Sequence, residues 1–502
     1  MTSPSGTTAP QPTTPAESAA GKPKERNFTG KQVAKGSAWT LAGFGISGCV
    51  RLCSSLVLTR VIPDAPAAYG VMALVYAFFT GLQLFSDVGL GQLLIQNPRG
   101  TEAAYRNTAF FVQVVRGFIV WLIALGLAPL IASAYPTYDQ LQELLSVTAL
   151  SAVLGGLGST SLFMFRRQMR VGTMAKIELV SQVCGTGVTL AHALIWPSVW
   201  AMVTGALATV AIRTGLSHAL NDVRDRMRWD RDAGRQLKTL GRWVMLSTAL
   251  TFLSTQADRL IFGKLVSMEE LGVFSVAAIY TLTVNQVLTR LTVNIAYPVM
   301  CQHERAKGEF TATYRVYSRM IAVLGGMAMM TLCGGGGALM ETLYTGAFAE
   351  GGWILQYTAL GAWFNIVLGT PRTHALLAKA KPQQTAAANF AKVVALCVLV
   401  PTGHYIAGFE GSIMAYASTS VVRYLVLAVA NRKLGVGSLL QDAALTAGMV
   451  AGSGGLAALD AALKSADVSP LVRTIVAGSC AVLAWSPACV LSLRAMKRLH
   501  KT

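Results

Sequence analysis

The sequence predicts an all-α polytopic membrane protein of about fourteen transmembrane helices, arranged as two parallel six-helix bundles followed by a C-terminal helix pair. Three observations carry this: apolar stretches that recur along the chain, basic residues gathered in alternate loops, and short segments that repeat six spans apart. Of 502 residues, 53% are hydrophobic and only 13% charged, whereas a soluble globular domain carries about 25% charged residues. Mean hydropathy is +0.50. Lipid is the solvent this composition is written for.

The first 35 residues are rich in Pro, Ser, Thr and Ala and have no apolar core, so they read as a disordered cytoplasmic tail and not as a signal peptide. A crossing helix needs about 20 apolar residues. Such stretches lie near 37–59, 70–94, 108–133, 143–164, 174–195 and 198–217, which make a first bundle over 36–217. After a basic cytoplasmic linker, 218–241, come 242–263, 271–299, 315–340, 353–377, 385–406 and 411–431, a second bundle over 242–431. The extra pair, 442–462 and 470–493 within 442–493, precedes a basic tail, 494–502.

Loop charges fix the orientation. Loops after even-numbered spans are basic: Arg99 and Arg106; Arg166, Arg167 and Arg170; Arg224 to Lys238 in the linker; Arg305 and Lys307; Lys379 and Lys381; Arg432 and Lys433; Arg494 to Lys501. The opposite loops are short and hold Tyr135, Tyr138, Asp139, Glu269, Glu270, Glu341, Glu350, Glu410 and Asp467, with Arg60, Lys264 and Lys464 as their basic residues. An odd span count upstream would invert the pattern downstream, so both termini are expected in the cytoplasm of a bacterial cell, with the chain multi-pass in the cytoplasmic (inner) membrane. The same bias accounts for the net charge of +19. Basic residues form no single stripe and no nucleic-acid-binding module is present, so nucleic acid is not an expected partner.

The eight cysteines lack CxxC spacing and read as small apolar fillers, so no metal site and no cofactor is expected. The run Gly334–Gly337 has no GK[ST] after it and reads as closely packed or flexible helix, not a nucleotide loop. The repeat is visible where Ala68-Tyr69-Gly70-Val71-Met72-Ala73 matches Glu270-Leu271-Gly272-Val273-Phe274-Ser275, and Thr59-Arg60-Val61-Ile62 matches Gly263-Lys264-Leu265-Val266. Matches six spans apart keep one orientation, which implies bundles related by an axis along the membrane normal.

An ordered set of short segments then carries a resemblance: Lys35-Gly36-Ser37-Ala38-Trp39, Leu58-Thr59-Arg60-Val61-Ile62-Pro63, Ala68-Tyr69-Gly70, Phe85-Ser86-Asp87-Val88-Gly89-Leu90 with Leu94-Ile95-Gln96, Gln256-Ala257-Asp258-Arg259 with Gly263-Lys264, Leu343-Tyr344-Thr345-Gly346 before Trp353, and Leu376-Leu377-Ala378-Lys379-Ala380-Lys381-Pro382. From about residue 31 to 435 the chain resembles the polysaccharide-transporter branch of the multidrug/oligosaccharidyl-lipid/polysaccharide exporter superfamily, which includes the O-antigen and exopolysaccharide flippases. Many members have twelve spans. The extra pair is a departure that keeps a related, fourteen-span peptidoglycan-precursor flippase group open.

A charge near the bilayer centre costs roughly 2.5 kcal/mol or more, so each needs a partner, a cavity or an interface. Arg51 in span one has no acid near it in sequence. Asp87 and Arg116 sit at similar depth in spans two and three and suit a mutual salt bridge or a substrate role; Asp258-Arg259 lies in span seven. Span eight carries a polar stripe, Asn285 and Thr289 on one face with Gln286 and Arg290 on the next, that lipid would not tolerate. Glu178 reads as interfacial, and Arg213, Arg319, Arg372, Lys392 and Arg423 as snorkelling to the headgroups. The deep set is net basic, and guanidinium forks suit phosphate oxygens.

The expected function is translocation of a lipid-linked (undecaprenyl diphosphate) oligosaccharide by alternating access, with membrane lipids and a polysaccharide polymerase or export machinery as further partners. The expected substrate-binding residues are Arg51, Arg116, Arg290, Asp87, Asp258, Arg259, Asn285 and Gln286. A multidrug or small-molecule cation antiporter needs deep acids, which are the minority here. A glycan polymerase or ligase needs a large external loop, which the chain lacks, so it is not expected to be an enzyme.

Overall fold

In hydrocarbon no water is at hand for backbone N–H and C=O groups, so an apolar chain satisfies them within helices. A computed structural model describes residues 30–499 apart from 88, 139, 169, 222–224, 306–309 and 438, and among these every regular element is helical. The expected N-terminal tail falls, over 1–29, outside the described residues.

The first lobe opens with α1 (Gly30–Val61) and α2 (Ala65–Phe85). A short α3 (Leu90–Gln96) leads to α4 (Ala103–Ala134). Then α5 (Leu141–Thr148), α6 (Leu150–Gly156) and α7 (Ser161–Arg167) make one rod, bent by 62° before α7. The lobe closes with α8 (Val171–Ile195) and α9 (Trp200–Ala219).

The second lobe starts with α10 (Arg231–Leu265) and α11 (Met268–Leu291), which runs through a π-helical stretch, Thr292–Ala296, into α12 (Tyr297–Arg305). It continues with α13 (Phe310–Leu343), α14 (Ala347–Glu350) and α15 (Gly352–Ala362), which passes through a second π stretch, Trp363–Leu368, into α16 (Gly369–Ala378). The 52-residue α17 (Pro382–Lys433) is two helices in sequence: Ala407 and Gly408 leave helical geometry between the predicted eleventh and twelfth spans. Finally come α18 (Leu439–Ser465) and α19 (Pro470–Leu499).

Seven of the described helices are long and apolar enough to cross a membrane, or eight if the bent rod counts as one. That criterion does not reach the predicted fourteen: it takes the two helices of α17 as one, divides the predicted tenth span at the π stretch between α15 and α16, and passes over α10, which mixes charges into its apolar run. Bands of exposed Leu, Ile and Phe, for example Phe118, Ile119, Leu122 and Leu130 on α4, cover the outer surface as a lipid-facing protein requires.

The basic connection between the lobes docks on the first one. Asp225 accepts hydrogen bonds from Ser159 Oγ at 2.6 Å and from the Thr160 N–H at 3.0 Å and hydroxyl, with Arg106 Nε 3.8 Å away. Backbone N–H groups of Arg226 and Asp230 donate to Asn107 Oδ1 and Thr108 Oγ1 at 3.0 and 2.9 Å.

The glycine run of α13 is where the last pair attaches. A Cβ at Gly334 would stand 2.5 Å from the Leu456 side chain on α18, and one at Gly335 2.6 Å from that of Ala477 on α19. Of the two expectations for this run, close packing is the one realised. Two buried ion clusters then fix the pair. At one end Arg473 forks onto Asp460 at 2.8 and 2.9 Å and reaches Glu341 at 2.9 Å, which Lys464 also holds at 2.6 Å. At the basic end Asp442, opening α18, binds Arg372 and accepts from the Tyr424 hydroxyl at 2.7 Å. Arg372 is 2% exposed, so it is not the snorkelling residue the sequence predicts; a buried carboxylate supplies what the headgroups were expected to.

Breaking a buried pair leaves an uncompensated charge and costs about 3–5 kcal/mol, whereas an exposed pair is worth under about 1 kcal/mol. Asp460→Ala should therefore lower the unfolding temperature in detergent by many degrees, and Lys464→Ala should leave it nearly unchanged.

Candidate functional site: the interface between the two lobes

The lobes meet through their first two helices. α2 packs on both α10 and α11, and α1 on α11. At the non-basic end α2 and α11 cross where the repeat puts a glycine in each: a Cβ on Gly70 would lie 1.9 Å from Met268 O, and one on Gly272 1.8 Å from Pro66 O. Only hydrogen fits at either position, so the matched glycines are the crossing point of the lobes.

Around the crossing lies a reciprocal set of contacts. Arg60, ending α1, donates to Leu343 O at the end of α13 at 2.9 Å, and Lys264, ending α10, stands 5.5 Å above the Tyr135 ring at the end of α4. Tyr344, just past α13, reaches Ser55 on α1 at 3.4 Å, while the Tyr135 hydroxyl donates to Leu260 O on α10 at 3.1 Å. Arg60 and Lys264 are the repeat partners read from sequence, so each lobe grips the other by equivalent means. Tyr69 and Tyr280 extend the hydroxyl cluster, donating to Ser55 at 3.3 Å and to Tyr344 at 3.1 Å. Burial pushes the nearby Tyr138 phenol up to about 12. The non-basic end is closed by this latch. The α2–α10 seam is closed along its length as well, by Gly263 against Leu74, Gly81 against Phe252, and Thr248 Oγ1 donating to Leu84 O at 2.6 Å.

Helix periodicity places the predicted residues. On α1, Gly48 faces Thr283 of α11, its Cβ position 3.3 Å from that methyl group, and Ser55 faces Tyr344. Arg51 lies within about 60° of both around the helix, so it is on the inter-lobe face, between that contact and the latch. It is half-buried, and its guanidinium has no hydrogen-bond or ion-pair partner among the described residues. On α11, Gln286 and Arg290 follow Thr283 at i+3 and i+7, share its face and are exposed. On α10, Gln256 and Arg259 lie on the face that Phe252 and Gly263 present to α2, with Arg259 donating to Gln256 Oε1 at 2.8 Å.

The other predicted residues are elsewhere. Arg116 ties down the end of α2, donating to Gln83 O at 2.7 Å and Ser86 Oγ at 3.0 Å, with Asp87 3.9 Å away; Asp87 itself accepts from the Gly89 N–H at 2.9 Å. Asp258 accepts from the Arg259 N–H at 2.9 Å and lies near Tyr416 and Lys392 of the second lobe. Asn285 accepts from Thr289 at 2.9 Å, so that face of the stripe is closed on itself. Arg423 also points inward, held by Asn389 and Asn365 at 2.9 Å each and by Thr373 at 3.3 Å. Arg213 stands 3.6 Å from Glu178. These amides and acids lie far from their arginines in sequence, which is why periodicity on one helix at a time missed them.

Two helical lobes crossing at matched glycines, with arginines on the facing helices, define a multi-pass membrane protein of a known transporter fold. Its fold is shared with the lipid II flippase MurJ in an inward closed conformation (TM-score 0.70, 12% identity, over 91% of this chain and 99% of that one). An inward-facing multidrug resistance MATE family transporter matches with a TM-score of 0.58 and 14% identity, over 82% and 98%. The chain belongs to the polysaccharide biosynthesis protein family, whose model matches residues 57–351. Among relatives, the teichuronic acid biosynthesis protein TuaB of Bacillus subtilis (strain 168) is 20% identical over 365 residues, 70% of this chain and 72% of that protein. The resemblance read from the ordered motifs is borne out.

The latch gives a prediction. A neutral hydrogen bond is worth about 1 kcal/mol net, a factor of about five in an equilibrium. Tyr135→Phe with Tyr344→Phe, in a background lacking the eight native cysteines, should make a cysteine introduced behind the latch by Arg51→Cys react about tenfold or more faster with a membrane-impermeant thiol reagent applied from the non-basic side.

Proposed function

We propose that this protein is a flippase, and not an enzyme, that moves a lipid-linked (undecaprenyl diphosphate) oligosaccharide across the cytoplasmic membrane for surface or exopolysaccharide synthesis. Its basic end and both termini would face the cytoplasm, as the loop charges require. The observation that carries the reading is the pair of arginines, Arg51 and Arg290, on the facing surfaces of α1 and α11. Family and fold support it.

In mechanism, the glycan headgroup enters between the lobes from the basic end while the lipid tail stays in the bilayer. Guanidinium groups of Arg51 and Arg290 offer planar donor forks to diphosphate oxygens, Arg259 joins them once the α2–α10 seam parts, and the Gln286 amide offers donors and an acceptor to sugar hydroxyls. Breaking the latch on one side while the basic end closes would pass the headgroup outward. Fixed glycines at the crossing let the lobes rock with the helices still in contact. Membrane lipids and a polymerase or export complex would be the working partners.

A cation antiporter is disfavoured on a specific ground: it needs acids facing the passage, but Asp87 is engaged by Gly89 and near Arg116, and Asp258 is turned toward Tyr416 and Lys392.

Charge-assisted hydrogen bonds are worth about 1.5–3 kcal/mol, or roughly ten- to a hundredfold in affinity. Arg51→Gln and Arg290→Gln should each cut glycan export by at least about tenfold at normal protein levels, and Arg→Lys should retain part of it. Unchanged export in both Gln variants would overturn the proposal.

A further inference from the structure

Away from the lobe interface, the second lobe holds a cavity of about 370 Å³ at its basic end, between α13, α16, the end of α17 and the start of α18. Arg315, Arg372 and Arg432 line it, with Gly437, Leu439 and Leu440 on the remaining wall. Arg315 and Arg432 are exposed and have no acidic partner among the described residues. Arg372 is buried and answered by Asp442, yet its Nε meets no acceptor. Tyr314, 2% exposed, also has a buried hydroxyl without a partner. Behind Gly437 on the cavity wall lie the Tyr314 hydroxyl and the Arg372 Nη that Asp442 holds, each 3.8 Å from where a Cβ at that glycine would stand.

Guanidinium groups facing one cavity repel each other, and an anion with several acceptor oxygens relieves that repulsion. With Arg372 and Asp442 cancelling, Arg315 and Arg432 leave the site cationic, which matches a phosphate group. We propose that this cavity binds a phosphate group, presented by an anionic phospholipid headgroup or by a soluble phosphate compound, and that the bound group ties α13 and α17 to the start of the last helix pair. Leu440, 82% exposed beside the arginines, offers an acyl chain a surface that a soluble ion would not use. Basic pockets between transmembrane helices at the cytoplasmic side take lipid headgroups by this chemistry. None of these residues belongs to the lobe interface, so the site stands or falls independently of the flippase reading.

The test uses the full chain purified in neutral detergent, with phosphatidylglycerol, phosphatidylcholine of the same chains, or inorganic phosphate added. Binding is read by native mass spectrometry and by the unfolding temperature. A charge near the surface is worth about 1 kcal/mol to such binding, so Arg315→Gln with Arg432→Gln should weaken it about thirtyfold. Stabilisation by phosphatidylglycerol alone assigns the lipid headgroup; equal stabilisation by inorganic phosphate assigns a soluble compound. Equal retention of both lipids without a phosphate effect, no binding of any probe, or undiminished binding in the double variant overturns the proposal.

Discussion

A charge inside hydrocarbon has to be paired or wetted, and that requirement sorts every ionised side chain in this protein. Paired ones became structure. Arg473 with Asp460 and Glu341, and Arg372 with Asp442, clamp the last two helices to the bundle at opposite ends of the same pair. Arg423 found amides instead of acids, and Asn365, one of them, lies in the second π-helical stretch, where the altered register re-aims side chains. The deep charges on the facing helices α1 and α11 are basic. Arg51 has no partner among the described residues, and Arg290 shares a face with Gln286 immediately before the other π stretch.

The same economy governs the crossing of the lobes. Gly70 and Gly272 bring two backbones into contact, which removes side-chain bulk at the one point where α2 and α11 must pass. The surrounding contacts are mostly hydroxyl hydrogen bonds and one cation over a ring, each worth little alone. A latch made of several weak, equivalent contacts costs little to open one contact at a time, which suits the alternating access proposed above.

Much of the architecture was legible because the bilayer imposes long periods on the sequence. Alternating loop charges marked which helix ends lie on the same side, and the Arg60/Lys264 and Gly70/Gly272 matches point at residues that meet across the lobe interface. Length and hydropathy single out seven of the described helices, because that criterion takes the two helices of α17 as one, divides the tenth span at its π stretch, and passes over α10 with its charges. For the site, depth could be estimated from sequence but partners could not. Asp258 looks available on a helical wheel, yet it stands near Tyr416 and Lys392, which other helices of the second lobe bring to it. Arg372 and Arg473 were misjudged or passed over because Asp442 and Asp460 reach them from helices added after the twelfth span. Their burial is a tertiary fact with no local signature.

Directional transfer of a lipid-linked glycan is tested most directly by the sidedness of that intermediate. In cells lacking the gene, the lipid-linked glycan should accumulate with its headgroup on the cytoplasmic face, inaccessible to an externally added glycan-modifying enzyme, and the wild-type gene should return it to the outer face. A pool of unchanged size and unchanged accessibility in the deletion strain would contradict the account.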